Sequence, residues 1–121
     1  MYETDFVSED VVEFKIDGRV FKYRPVTAGQ ENDWLNEYMI FTEDGVKQDL
    51  TKLNKFKVLN IVEVPYSSEL IQTILKLQAP KDWKDLSKDQ KWELLGKLNP
   101  NLFSEIVTEI KKIDSPIKKK I

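Results

Sequence analysis

Hydrophobic and polar residues alternate along residues 12–23, on both sides of the pair Asp17-Gly18. Such alternation predicts two antiparallel strands, and Asp followed by Gly suits a two-residue type I′ turn, which needs positive φ at both central residues. If Ile16 faces Arg19, one face of this first hairpin is apolar and comprises Val12, Phe14, Ile16, Phe21 and Tyr23. A shift of one residue would mix the two faces, so the pattern predicts a single register.

The polar face of the first hairpin places Glu13 opposite Lys22, which predicts a cross-strand ion pair. An isolated hairpin is only marginally stable in water, so its apolar face must be covered. Because most of the remaining chain has helical patterns, we expect the hairpin to be a lid or arm on a helical body rather than the centre of a sheet. Its open strand edges are a candidate site for contacts between copies, although Lys15, Lys22 and Arg24 would equally protect them.

Helical spacing of apolar residues and helix-start signals predict about five helices after the hairpin. Capping boxes at Thr27-Ala28-Gly29-Gln30 and Ser87-Lys88-Asp89-Gln90 open two of them, and Asn99-Pro100 opens the last. The helix after Thr27 is predicted to include Met39 and Phe41 and to stop at Glu43-Asp44-Gly45, and two further helices span about residues 48–62 and 69–78. Segment 46–64 is ambiguous because its apolar residues lie on all sides, and it could instead become extended near residues 61–64.

The length of 121 residues indicates one domain. The predicted elements make it α+β, with the N-terminal antiparallel hairpin packed on a mainly helical bundle. We expect a flexible acidic leader at residues 1–10, the single domain at 11–114 and a flexible lysine-rich tail at 115–121. The oppositely charged ends could meet in a homo-oligomer. A net charge of −2 argues against a strongly basic nucleic-acid binder. No signal-peptide core and no long apolar run is present, which favours a soluble cytoplasmic protein rather than a membrane protein.

Two residue types that many enzymes use for catalysis, His and Cys, are missing from this chain. Their absence excludes histidine-based catalytic triads and thiolate metal sites. Its four glycines do not form a phosphate-binding loop. Acidic pairs such as Glu105 and Glu109 occur on the polar face of a helix, where a solvated surface is the favoured interpretation. We therefore predict no catalytic residues, no metal site and no cofactor.

Three residues in polar connections are the candidates for partner binding: Trp83, Tyr66 and Leu86. Tryptophan is enriched at binding hot spots, so Trp83 could be an exposed anchor for a partner protein. The alternative is that Trp83 fixes its connection to the core. Gly96 falls inside a predicted helix, where close packing of a neighbouring helix is the favoured explanation.

The order of features resembles that of the small tail assembly chaperones of tailed bacteriophages and prophages. The resemblance covers most of residues 12–113: an extended opening over residues 14–27, a first helix with Trp34, and a Lys- and Glu-rich helical remainder with Trp83 and Leu86 ahead of Gln90-Lys91 and Leu94-Leu95. It implies a non-enzymatic protein in the host cell cytoplasm that binds the tape-measure protein, keeps it soluble and helps to recruit the tail-tube protein. The alternative is a structural subunit of the particle, such as a connector or tail component that forms rings.

Overall fold

The computed structural model describes Val7 and residues 10–114, and in this part of the chain it contains five α-helices and two antiparallel sheets. The elements are β1 (Val12–Ile16), β2 (Arg19–Tyr23), α1 (Ala28–Tyr38), β3 (Met39–Thr42), β4 (Gly45–Gln48), α2 (Leu50–Leu59), β5 (Ile61–Glu63), α3 (Ser68–Leu75), α4 (Lys88–Gly96) and α5 (Pro100–Asp114), with a 3-10 turn at Trp83–Asp85. The α+β class with an N-terminal hairpin is confirmed. The predicted tail at 115–121 and nearly all of the predicted leader at 1–10 lie outside the described residues.

The first hairpin has the predicted register. Ile16 pairs with Arg19 and Phe14 with Phe21, and Asp17 and Gly18 both adopt positive φ, at 49° and 81°. The rings of Phe14 and Phe21 are stacked, with centroids 5.2 Å apart. This apolar face is buried in the core, as the alternation of residues requires.

The expectation that the hairpin is a lid or arm on a helical body is wrong, because a third strand pairs with it. β5 pairs antiparallel with β2, so the order is β1-β2-β5 and β2 is central. The hairpin is therefore part of a sheet and is not a lid. The ammonium of Lys22 lies 3.1 Å from the carboxylate of Glu63 on β5, which replaces the ion pair expected with Glu13.

The helix predicted over about residues 48–62 is shorter than expected. It begins after the Asp49 cap and ends at Leu59, and the chain is then extended from Ile61, as in the alternative interpretation. Extension lets Ile61 bury its side chain to 1% exposure while its backbone pairs with Tyr23. The gain from this long-range pairing outweighs the local helical preference of the segment.

The first helix is also shorter than predicted, because α1 ends at Tyr38. Met39 and Phe41 lie in a second hairpin, formed by β3 and β4, in which Phe41 pairs with Val46 and Thr42 with Gly45. The sequence Glu43-Asp44-Gly45 is a turn, as expected, but it joins two strands. Gly45 has φ +124°, which is strained for any residue with a Cβ.

The core lies between the three-stranded sheet and helices α2 to α5. Its fully buried members come from each of these elements: Phe21, Tyr23, Val58, Ile61, Ile71, Leu95, Ile106 and Ile110. Both capping boxes are present, at Thr27 with Gln30 and at Ser87 with Gln90. α3 ends earlier than predicted, because Lys76 adopts the left-handed conformation with φ 57°. A Cβ at Gly96 would meet no atom within 4 Å, so close helix packing does not explain this glycine.

Asp114, the last residue of α5, joins the helix to the sheet and to α2. Its carboxylate accepts hydrogen bonds from the hydroxyl of Tyr23 at 2.7 Å and from the backbone N–H of Val26 at 3.1 Å. The ammonium of Lys57 lies 3.6 Å away, and the side chains of Lys57 and Asp114 are only 12% and 6% exposed. This buried cluster holds the C-terminal helix against the sheet.

Candidate partner-binding surfaces

Trp83 and Leu86 are core residues, with exposures of 4% and 6%. The indole N–H of Trp83 donates a hydrogen bond to the carbonyl of Ile61 at 3.0 Å, and the ammonium of Lys91 lies 5.3 Å from the centre of its ring. Trp83 therefore fixes the connection between α3 and α4 to β5. The expectation of an exposed anchor at Trp83 is corrected, since its N–H has a backbone acceptor inside the protein.

Tyr66 has a different environment from Trp83. Its ring packs edge-on against Phe21, with centroids 6.2 Å apart. Its hydroxyl oxygen is buried and has no hydrogen-bond partner among the described residues. Burial raises the pKa of Tyr66, and the nearby charge of Arg19 opposes this rise only in part. A buried polar atom without a partner costs about 1–3 kcal/mol, so this hydroxyl requires an explanation.

An apolar groove lies beside Tyr66, between α3 and α4. We call it the α3–α4 groove; its volume is about 110 Å³ and its walls include Tyr66, Leu70, Ile74, Leu94, Lys97 and Leu98. Leu70 is 45% exposed at one side, although the apolar stripe of α3 otherwise faces the core. Lys97, just beyond the end of α4, adds an exposed cation to the rim. The groove thus combines an apolar floor with a positive charge on its rim, and the buried hydroxyl of Tyr66 lies beside it.

The hairpin of β3 and β4, here called the β3–β4 hairpin, is a second apolar surface. Phe41 is 73% exposed, Val46 53% and Ile40 46%. The register places Phe41 and Val46 together on one face and Ile40 with Lys47 on the other. Sequence analysis missed this surface because Met39 and Phe41 continue the helical spacing of α1. The available signal was the turn sequence between two short runs with β-forming residues.

Acidic residues surround the β3–β4 hairpin. Between residues 28 and 46 the chain has five acids and no Lys or Arg; the acids are Glu31, Asp33, Glu37, Glu43 and Asp44. The body of the protein holds the base of the hairpin, where Tyr38 is buried and the backbone N–H of Asp49 donates to the carbonyl of Tyr38. A two-stranded hairpin with both faces in water is marginally stable, so this one would gain stability from a covering surface.

A further shallow cavity, of about 290 Å³, lies between the turn of the first hairpin and α5. Three acidic residues border it, Asp17, Glu105 and Glu109, together with Lys15, and Glu109 accepts a hydrogen bond from Lys112 at 3.2 Å. Within the described residues, no three acidic side chains cluster closely enough to hold a metal ion. The two apolar surfaces are therefore the most distinctive features of the molecule.

Comparison of the chain with protein-family models, curated proteins and solved structures finds no match. In the part of the chain that the structure describes, no helix has the length and apolar character needed to cross a membrane. Functional assignment therefore rests on the chemistry of the surfaces.

Proposed function

We propose that the protein is a non-catalytic adaptor that holds an apolar helix of a partner protein in the α3–α4 groove. The observation that carries this proposal is the apolar α3–α4 groove itself, with Leu70 left 45% exposed at its side. A bound partner would cover Leu70, and the buried hydroxyl of Tyr66 lies beside the same groove. Of the three residues that the sequence indicated for partner binding, Tyr66 is the one that borders a groove.

The groove defines the chemistry of its occupant. Recognition of an amphipathic helix requires a hydrophobic groove and anchors spaced at i, i+3 or i+4 on the partner. Leu70, Ile74 and Leu98 provide apolar contacts for such anchors. The exposed Lys97 ammonium favours an oxygen acceptor, such as a Glu or Gln side chain next to the anchors. The preferred partner is therefore an amphipathic helix with an acidic or amide residue at the edge of its apolar face.

The resemblance to phage tail assembly chaperones suggests that this partner is a tape-measure protein. In such a role the protein would bind helical segments of a tape-measure protein in the host cytoplasm, keep them soluble and bring them to the tail-tube protein. A structural subunit of the tail is the second candidate function. The exposed β3–β4 hairpin favours it, because a particle subunit needs a surface that contacts its neighbours.

Co-expression with the tape-measure protein encoded in the same genome tests the adaptor role. Wild-type protein is expected to co-purify with the tape-measure protein and to increase its soluble fraction. Leu70→Glu places a charge at the groove and should abolish both effects. Leu35→Glu is the matched control, because Leu35 is 41% exposed on α1 and Leu70 is 45% exposed.

Both variants should keep the melting temperature of the wild type within a few degrees, since each changes an exposed side chain. The proposal fails if wild-type protein does not bind the tape-measure protein. It also fails if Leu70→Glu binds as well as Leu35→Glu does.

A further inference from the structure

We infer that the β3–β4 hairpin of one copy docks into the α3–α4 groove of a second copy. The inference rests on the proposed function in taking the groove as a binding site, and it adds an occupant for the groove before the partner arrives. Two exposed apolar side chains would be explained together: Phe41, which is 73% exposed, and Leu70, which is 45% exposed.

The groove can receive part of an aromatic ring. Its volume of about 110 Å³ is smaller than the cavity of about 150 Å³ that holds a whole benzene molecule, but it is open on one side. The ring of Phe41 would therefore enter in part, with its remainder covered by the rim. Val46 lies on the same face of the hairpin and would cover Leu70 at the rim. Contact between these apolar groups removes both exposed surfaces from water.

The charges of the two surfaces are complementary. Glu43 and Asp44 form the turn of the hairpin, next to Phe41. The groove has the exposed Lys97 on its rim. A carboxylate from the hairpin turn would pair with Lys97.

Charge also disfavours the simplest alternative, in which two hairpins pair with each other. That arrangement would bring the acidic turns of two copies together, and each hairpin has Lys47 as its one base against Glu43 and Asp44. The hairpin-to-groove contact joins two different surfaces. It can close as a reciprocal dimer or continue around a ring.

Docking between copies would also regulate the adaptor. Each groove would stay covered until an amphipathic helix with stronger contacts displaced the hairpin. The exposed apolar residues of both surfaces would then be shielded from nonspecific aggregation in the absence of the partner.

Sedimentation equilibrium of the purified full chain tests the docking directly. Wild-type protein is expected to show a mass that rises with concentration above the 14.2 kDa of the monomer. Phe41→Glu, which damages the hairpin, and Lys97→Glu, which damages the groove, should each weaken self-association at least about tenfold. Ile40→Glu is the matched control, because Ile40 lies on the opposite face of the hairpin and should leave self-association unchanged.

Mixing the two defective variants separates this contact from any other. The Phe41→Glu protein keeps an intact groove and the Lys97→Glu protein keeps an intact hairpin, so a mixture should form a 1:1 heterodimer although neither variant associates alone. Restoration by charge exchange is a second test. Protein with Glu43→Lys and Asp44→Lys should associate with the Lys97→Glu protein more tightly than with itself.

A wild-type protein that stays at the monomer mass at all concentrations overturns the inference, and so does a mixture that forms no heterodimer. If the tape-measure protein still binds through Leu70 in that case, the proposed function stands and only the docking between copies is wrong. If the variants and their mixture behave as expected but no tape-measure protein binds, the docking stands and the proposed function fails.

Discussion

Replacement of Asp114 by Ala is expected to remove a large part of the stability of the fold. Asp114 is an acid at the C-terminal end of a helix, where the helix dipole disfavours negative charge. Its carboxylate is stabilised at this position by three contacts, with Tyr23, Val26 and Lys57. In Asp114→Ala, all three partners lose the carboxylate while they remain largely enclosed by protein.

The size of the effect follows from the burial of this cluster. The side chains of Asp114 and Lys57 are 6% and 12% exposed, so removing the acid leaves a nearly buried ammonium without its counter-charge. Breaking such a buried pair costs about 3–5 kcal/mol. Small domains have about 5–15 kcal/mol in total, so the variant should lose about a fifth or more of its stability. With a denaturant slope of about 2 kcal/mol/M, the urea midpoint falls by about 2 M.

Urea unfolding followed by tryptophan fluorescence measures this loss. Glu105→Ala is the matched control, because Glu105 is an exposed acid on the same helix and its loss should change stability by less than about 0.5 kcal/mol. Adding Lys57→Met to Asp114→Ala should recover part of the loss, since the buried ammonium is then absent. A loss below about 1 kcal/mol in Asp114→Ala would refute the reasoning that the cluster fastens α5 to the sheet.

Four further predictions concern single side chains. Burial and the Asp114 carboxylate raise the pKa of Tyr23 above its ordinary value of 10.0. The contribution of Tyr23 to stability should therefore be complete below about pH 10 and should fall as the pH rises beyond it. Urea titrations below and above this pH should show a smaller fall in stability for Tyr23→Phe than for the wild type. Tyr66→Phe removes a hydroxyl that has no partner among the described residues, so at neutral pH it should unfold at the same or a higher urea concentration than wild type; a loss above about 1 kcal/mol would reveal a partner for the hydroxyl. Gly18→Val should lower the melting temperature by several degrees, because φ +81° is strained for a β-branched residue, and an unchanged temperature would contradict the turn geometry. Trp83→Phe should cost about 2 kcal/mol in urea unfolding, because the carbonyl of Ile61 loses its indole donor.

Local signals predicted the first hairpin and the helix starts well. The alternation on both sides of Asp17-Gly18 determines the register without help from the rest of the chain, and the structure has that register. The hydroxyls of Thr27 and Ser87 cap their helices through contacts three residues away, so sequence spacing was sufficient. In both cases the interacting residues are neighbours in sequence.

The errors occurred where distant parts of the chain decide the structure. β5 has only three residues, and its partner β2 lies some forty residues earlier, so no local pattern distinguishes it from the end of α2. Met39 and Phe41 fit the helical spacing of α1, but their segment pairs with Val46 across a turn. Glu63 outcompetes Glu13 for Lys22 because it lies on an adjacent strand that the sequence did not reveal.

The candidate site was predicted only in part. Tyr66 was selected for its position in a polar loop, and it does border the α3–α4 groove. The groove itself depends on how α3 packs beside α4, which the apolar stripes of the two helices do not specify. Trp83 and Leu86 also lie in a polar connection, as Tyr66 does, but both are buried. Trp83 donates a hydrogen bond to the carbonyl of Ile61, and Leu86 packs in the core.

A nuclear magnetic resonance titration is the most direct test of the claim that the α3–α4 groove binds the partner. The protein would be labelled on its Tyr rings and Leu methyl groups and titrated with a phage tape-measure protein, the partner proposed above. We expect the largest shifts at Tyr66, Leu70 and Leu98, with Leu35 unchanged. Saturable binding whose shifts leave Tyr66 and Leu70 unmoved would contradict the account.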